Sequence, residues 1–262
     1  MATATSRSRE ERIGLEASRA FSTAIEAGGA TVLRVPGAPN SPMLNRIVGL
    51  GTDRPATESD VDEALAAMGP GPTFYVAVAP DARPAELPDW LGARGLAPGW
   101  GWMMFRRGLK DPPAPETSLR LSEVVTAHER AAFARIVRIS YDLPRRVEPT
   151  IAAVPGRRWH CWIALDGDEP AGVAALFAAD GAAYLGLAGT LPEHRGKGAQ
   201  NALLAARIRH AADLGCDVVV TETGERRDDR PSNSYRNILR AAFTEVGVTA
   251  NWIWRGTEAI PS

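Results

Sequence analysis

Arg195, Gly196, Lys197 and Gly198 are the residues of this chain whose types and spacing point most directly to a chemistry. They connect an apolar run, Ala182 to Ala188, to a segment of helical pattern that begins at Ala199. A glycine-rich turn feeding a helix N-terminus aims several free backbone N–H groups at one point, and the helix dipole adds partial positive charge. Such a turn is a diphosphate site made mostly of backbone; the competing reading is a plain polar turn. Other phosphate signatures are absent. No G-x-x-x-x-G-K-[ST] occurs, which excludes a P-loop. No G-x-G-x-x-G follows a first parallel strand with an acid further on, which argues against a dinucleotide site.

The elements around the turn follow from periodicity and punctuation. Before it stand three strands at hairpin spacing, Trp159–Leu165, Ala171–Ala178 and Ala183–Ala188, separated by D-G-D-E-P and A-D-G. After it a helix runs from Ala199 to Leu214 with Gly215 at its end, then a buried strand Asp217–Thr221, a helix Ser232–Ala242 and a strand Val248–Trp254. Upstream, Thr126 with Glu129 is a capping-box pattern for a helix to about Ser140. Thr150–Val154 is read as a short helix and Leu119–Leu121 as an opening strand.

The segment Gly108–Ser118, G-L-K-D-P-P-A-P-E-T-S, is the expected linker, because its three prolines can neither join a ladder nor continue a helix. The domain scheme is therefore residues 1–107, a linker 108–118 and residues 119–262. In the first part, an amphipathic helix is expected from Ser8 to Ala27, stopped by Gly28-Gly29, with strands at Ala30–Val35, Leu44–Leu50 and Thr73–Ala79. A helix starting near Ser59 ends at Gly69-Pro70, and a short helix Leu87–Ala93 leads to a strand W-G-W-M-M-F-R. Both halves close on strand–helix–strand, a weak internal repeat of order rather than identity.

Composition narrows the partners. The 262 residues are 45% hydrophobic and 23% charged, a globular balance. The net charge of −1 gives no global field for nucleic acid or anionic lipid. Lys110 and Lys197 stand against 28 arginines, a skew better read as coding bias than as a phosphate-binding design. Cys161 and Cys216 lack CxxC partners, so neither a disulfide framework nor a zinc knuckle is expected, and no metal site. No stretch reaches membrane-span length and the N-terminus lacks an export h-region, so a cytoplasmic protein is expected.

The order strand–helix–helix–meander–R-G-K-G–helix–strand–helix–strand, from about Leu119 to Arg255, resembles the GNAT superfamily of acetyl-CoA-dependent N-acyltransferases. Its most specific piece is P-E-H-R-G-K-G-A, Pro192 to Ala199. In the family turn R/Q-x-x-G-x-G/A, Arg195 and Gly198 fill the first two places and Gln200 departs from the third. The resemblance implies an α/β (α+β) fold of two GNAT-like mixed, mostly antiparallel sheets flanked by helices, the N-terminal copy degenerate. It implies that Arg195, Gly196, Lys197, Gly198, Ala199 and Gln200 hold the coenzyme A pyrophosphate. The strand edge at Ala188, Gly189 and Thr190 would pair with the pantetheine amides like an added strand, and Asn237 would bond the pantetheine arm.

Acetyl transfer from a thioester to an amine needs a neutral nucleophile, a donor for the oxyanion such as a strand-edge N–H near residue 189 or 190, and favours an acid for the thiolate. Glu222, at the exit of D-V-V-V-T-E, is the candidate base, with Glu193 and His194 as lesser ones; a solvated strand end is its bland alternative. Many family members carry a tyrosine five residues before the phenylalanine that ends the penultimate helix. Here that phenylalanine is Phe243 and the place is Ile238, so Tyr235 is the substitute acid, with Ser232, Asn233 and Ser234 nearby. Tyr141-Asp142 and the charged loop Gly224–Asn233 are pointers to the acceptor. His160, Trp100, Trp102, Trp252 and Trp254 are read as packing residues. The expected activity is acetyl transfer by direct attack in a ternary complex, because no positioned Cys or Ser suggests a covalent intermediate. The acceptor is a small-molecule or peptide amine, and a homodimer is left open. The rivals are a silent acyl-CoA sensor and an aminoacyl-tRNA-dependent transferase of the same double fold, the latter disfavoured by the near-neutral charge.

Overall fold

A computed structural model describes residues 9–114, 117–156, 158–227 and 232–256. The chain divides into two compact units, Met1–Met103 with Gly247–Ser262, and Met104–Val246. Seven α-helices and a mostly antiparallel set of strands give a mixed α/β fold among the described residues. No helix among them is long and apolar enough to cross a membrane.

In the first unit, α1 (Arg9–Arg19) is followed by β1 (Thr23–Ala27) and β2 (Ala30–Arg34), which pair antiparallel. The helix expected to reach Ala27 therefore stops eight residues short of it. Gly28 and Gly29 take φ of 57° and 69°, and two successive left-handed residues form the tight hairpin turn whose twist matches its strands. The glycine pair that read as a helix stop is a hairpin.

After these come β3 (Arg46–Val48), α2 (Glu58–Met68), β4 (Phe74–Val78), α3 (Leu87–Ala93), β5 (Ala97–Pro98) and β6 (Trp102–Gly108). β3 pairs antiparallel with β2 and parallel with β4, α2 being the crossover. The other side of β4 takes residues 250–254 from the last strand of the chain. The core here is Val32, Ile47, Val61, Met68, Phe74, Val76, Leu87 and Leu91, with Trp252 and Trp254 packed against it. Those tryptophans are packing residues, as expected.

The N-terminus of α2 is closed by its own residues. Thr57, two residues before Ser59, is the N-cap, and its hydroxyl accepts from the Asp60 N–H. The Asp60 carboxylate accepts from the Thr57 N–H at 2.7 Å and from both Nη atoms of Arg54 at 2.6 and 2.7 Å. The Arg54 guanidinium and the Thr57 N–H hold Asp60 well below the usual carboxylate range, against the opposing effect of burial. A depressed folded pKa stabilises above the unfolded value of about 3.9 and is lost as pH falls through the folded one. Asp60→Asn should thus cost about 1–2 kcal/mol at neutral pH. In denaturant titrations its deficit should shrink below about pH 4; a deficit independent of pH would remove the electrostatic account.

The second unit continues with β7 (Arg120–Glu123), α4 (Ala127–Ser140), α5 (Glu148–Ala152), β8 (Trp159–Asp166), β9 (Glu169–Ala179) and β10 (Ala182–Thr190). It closes with α6 (Ala199–Asp213), β11 (Val218–Gly224), α7 (Asn233–Arg240) and β12 (Thr244–Trp254), whose end has already been met in the first unit. β7, β8, β9 and β10 pair antiparallel in that order, and β11 joins β10 in parallel. The capping box at Thr126 and Glu129 starts α4 as read from the sequence. Phe133, Ile136 and Val137 of α4 and Leu203 and Ile208 of α6 are buried with Ile163, Val173, Leu176 and Leu185 of the strands. An added Cβ at Gly189 would meet Ser140 of α4, and one at Gly172 would meet Ala199 of α6. Since strand side chains alternate, and Gly172 pairs with Thr190, the two helices cover opposite faces.

The proline-rich segment is bound to the second unit. The Arg107 guanidinium donates to the carbonyls of Lys110 and Asp111, Arg209 donates to Pro113 O, and the Thr117 hydroxyl to Lys197 O.

Candidate functional site

The register of β10 with β11 runs from Ala182↔Val218 to Leu185↔Thr221 and ends there, although both strands continue. Beyond that point β10 carries a bulge between Gly186 and Gly189 on its β9 side. Leu187 in the bulge has φ of 47°, a left-handed conformation that costs a non-glycine residue roughly 1–2 kcal/mol. Strain of this kind persists where neighbours over-determine it. Three neighbours do so here.

Behind the bulge, Arg207 of α6 is 4% exposed and donates to Ala175 O at 3.1 Å, Gly186 O at 3.4 Å and Leu203 O at 3.1 Å. Among the described residues its hydrogen-bond partners are all carbonyls. Burial lowers its pKa to about 10. In front, the Ala188 N–H donates to the Tyr141 hydroxyl at 3.1 Å. Beside it, the missing side chain of Gly189 makes room for Ser140. Tyr141 is held because α4 ends in a Schellman motif: Leu143 N–H reaches Arg138 O, Asp142 N–H reaches Ile139 O, and Asp142 takes the left-handed φ of 50°. Burial pushes the Tyr141 hydroxyl up from its ordinary value, opposed by the Ala188 N–H and the Arg207 charge.

At the outgoing end of β10 the chain makes a short 3-10 turn, Pro192–His194, and enters α6 through Gly196 and Gly198, with φ of 82° and 80°. Gly198 is the N-cap, and no side chain caps this helix. Its first-turn N–H groups are therefore available to an anion, unlike those of α2. Lys197 is turned away: its ammonium binds Asp166, which also meets His194 Nδ1 at 2.9 Å. Lys197 first, then His194, hold Asp166 below its ordinary range. Arg195 is exposed and makes no ion pair among the described residues. Gln200 Nε2 donates to the Thr190 hydroxyl at 2.8 Å, tying the helix start to the strand end. A doubly charged diphosphate fits this end, which offers open backbone donors, a free guanidinium and no neighbouring atom within 4 Å of where a Gly196 Cβ would lie.

The acetyltransferase (GNAT) family matches residues 130–232. The second unit carries a GNAT-family acetyltransferase domain.

The fold of the chain is that of solved GNAT proteins. A GCN5-related N-acetyltransferase from Kribbella flavida is 19% identical with a TM-score of 0.68, over 99% of this chain and 98% of that one. A GCN5-related N-acetyltransferase from Sphaerobacter thermophilus is 14% identical at 0.62, over 87% and 80%. A tandem GNAT protein from the clavulanic acid biosynthesis pathway is 19% identical at 0.57, over 89% and 79%. No curated protein matches the sequence.

Within the GNAT domain, Ala188, Gly189 and Thr190 lie on the diverging part of β10, and Glu222 lies one residue past the last β10–β11 pair. Glu222 is partly exposed, and no hydrogen bond or ion pair engages its carboxylate among the described residues. Tyr235, in contrast, is 5% exposed, packs edge-on to Phe105 and donates its hydroxyl to Glu245 Oε1 at 2.6 Å. Burial first, then Glu245, pushes it up to about 12. Asn237 is partly buried on the same helix. In the loop Gly224–Asn233, residues 228–231 lie outside the described residues. His160 packs 4.4 Å from His210, and burial and that neighbour lower its pKa, in keeping with a packing role.

Two residues escaped the sequence reading. Asp166 sits in a hairpin, where an acid needs no explanation. Arg207 did leave a signal: it interrupts the apolar stripe Leu203, Leu204, Ile208, Ala211 of α6, and an arginine is rarely fully buried without a partner.

Proposed function

We propose that the GNAT domain binds acetyl-CoA and transfers its acetyl group to an amine by direct attack in a ternary complex. The observation that carries this reading is the uncapped, glycine-formed N-terminus of α6, standing at the outgoing end of a strand that parts from its neighbour. The α6 amides and Arg195 hold the pyrophosphate. The free edge of β10 takes the pantetheine arm, with Asn237 beside it, and leads the thioester to the bulge. Glu222, whose carboxylate has no partner among the described residues, takes the proton of the incoming amine. The acceptor is a small-molecule or peptide amine entering between β10 and β11. The near-neutral charge disfavours an aminoacyl-tRNA donor.

Purified protein given acetyl-CoA and a panel of amines is expected to release free thiol. Glu222→Gln should lower kcat by about 10²–10⁴-fold with coenzyme A affinity unchanged; an unaltered kcat would remove Glu222 from the role. A second reading, acyl-CoA binding without turnover, is favoured by the commitment of the Tyr235 hydroxyl to Glu245. Tight binding with no thiol release from any amine would select it.

The first unit is read as a GNAT-like copy that lost this site. There too a parallel strand pair is bridged by a helix, yet the α2 N-terminus is filled by Asp60 where α6 is open.

A further inference from the structure

The seam between β8 and the C-terminal end of α6 holds two imidazoles that acetyl transfer does not use. An added Cβ at Gly172 would meet Ala199 of α6, so alternate residues of β9 face that helix. Leu176 is one of them, and its register partner on β8 is His160. His160 and Trp162 therefore lie under α6, where both meet His210 in the last turn. The ring centroids of His160 and His210 are 4.4 Å apart, and Trp162 stands edge-on to His210 at 5.1 Å. The pair is far from the open helix start: His210 follows Gln200 by ten residues, about 15 Å along the axis.

The hydrogen-bonding capacity of these rings is unspent. His210 Nε2 is buried without a partner, and His160 makes no hydrogen bond among the described residues. Burial, then the neighbouring ring, hold the His160 imidazole below its ordinary range, against the attraction of Glu123. Glu123 of β7 is paired in register with Trp162 and is exposed. Arg158, two residues before His160, and Asp180, just past β9, are exposed as well, where water screens them. From β9 only uncharged Ala174, Leu176 and Ala178 face the seam. On α6 itself, Arg207 one turn earlier adds a like charge, and Asp213 one turn later is exposed.

We propose that the His160–His210 pair is a proton-operated catch, holding the last turn of α6 on β8 while both rings are neutral and releasing it when one is protonated. An imidazolium carries a second N–H donor and a charge, and the buried side of this seam offers neither an acceptor nor a counter-ion among the described residues. The release is confined to the helix end, because Arg207 fastens the preceding turn to the carbonyls of Ala175 and Gly186. An unfolded imidazole titrates near about 6.5. A folded ring held below that value takes its proton later, so the catch contributes fully above about pH 6.5 and is lost as the pH falls from there toward the folded midpoint. That window lies above the one in which Asp60 is protonated.

The test uses the full chain and needs no cofactor, so it stands apart from the acetyl-CoA reading. Proton NMR follows the four histidines as the pH is lowered, and single Gln variants assign His160 and His210. In the wild-type protein His160 should titrate below about 6.5. His210→Gln should move that midpoint up, and Glu123→Gln should move it further down. Amide hydrogen exchange over the same series, corrected for its intrinsic pH dependence, reads the catch itself. Protection at Leu214 and Cys216, bonded to the carbonyls of His210 and Ala211, should fall at least about tenfold as His160 is protonated. That of Ala202, bonded to Gly198 O at the other end of the helix, should not change. In the double variant His160→Gln/His210→Gln the response at Leu214 should vanish. A wild-type His160 that titrates like a free imidazole overturns the catch. So does constant protection at Leu214 while His160 is protonated, or an equal fall at Ala202. Because these readings come from the wild-type protein, a variant that does not fold cannot shield the proposal.

Discussion

Gly198→Glu is expected to abolish coenzyme A binding and leave the fold in place. Gly198 is the N-cap of α6 at φ of 80°, a conformation costing a non-glycine residue roughly 1–2 kcal/mol. A carboxylate at that position recovers part of this cost, because a negative charge at a helix N-terminus is favourable by about 0.3–1 kcal/mol. The same carboxylate stands where the diphosphate must sit. It takes up the donors the ligand needs and opposes its charge, as Asp60 does at the start of α2. Losing one or two charge-assisted hydrogen bonds to amides costs about 3 kcal/mol, which is at least about 100-fold in affinity. Calorimetric titration with coenzyme A reads the affinity, and a thermal melt reads the fold. Unchanged affinity in a folded variant would sink the cofactor assignment.

The contrast between α2 and α6 shows how much of this molecule was legible in its sequence. R-G-K-G needed no tertiary information, because two glycines and a following helix are local features. The meander before it and the caps at Thr126 and Gly215 were legible for the same reason. Gly28-Gly29 was not, since a helix stop and a tight hairpin turn use the same residues, and the partner of β1 decides between them. Side-chain pairing across the fold was beyond reach. Nothing near Tyr235 in sequence announces Glu245 as its acceptor, and nothing near Tyr141 announces the amide of Ala188, forty-seven residues away. The tyrosine chosen for being on the expected helix is therefore bound elsewhere, while the one noted as facing the acceptor stands at the bulge. The last strand teaches the same lesson. Its alternation, with Trp252 and Trp254, reads clearly as a strand, but pairing with β4 is set by geometry that a linear pattern does not carry.

Gly189→Ala carries the second large effect, and it tests whether the bulge is a built site. Gly189 has no left-handed φ, so space rather than backbone freedom requires glycine there. An added Cβ would lie 2.0 Å from Ser140 Oγ and 2.4 Å from Ser140 Cβ. The hydroxyl could rotate aside, but the Cβ is fixed to the end of α4, so the helix end itself must retreat. Overpacking of this kind costs about 1–3 kcal/mol. The retreat also draws Tyr141, the next residue, away from the Ala188 N–H and loosens the bulge, so under the proposed acetyl-CoA reading transfer should fall about tenfold or more. Ser140→Gly removes both clashing atoms and by itself costs about 0.5–1 kcal/mol as a helical glycine. In the double variant the two costs should not add. A coupling of at least about 1 kcal/mol in a double-mutant cycle of stability, with recovery of most of the activity, is the expected result. Additive costs with activity still lost would mean that Gly189 serves the site by some means other than leaving room for α4.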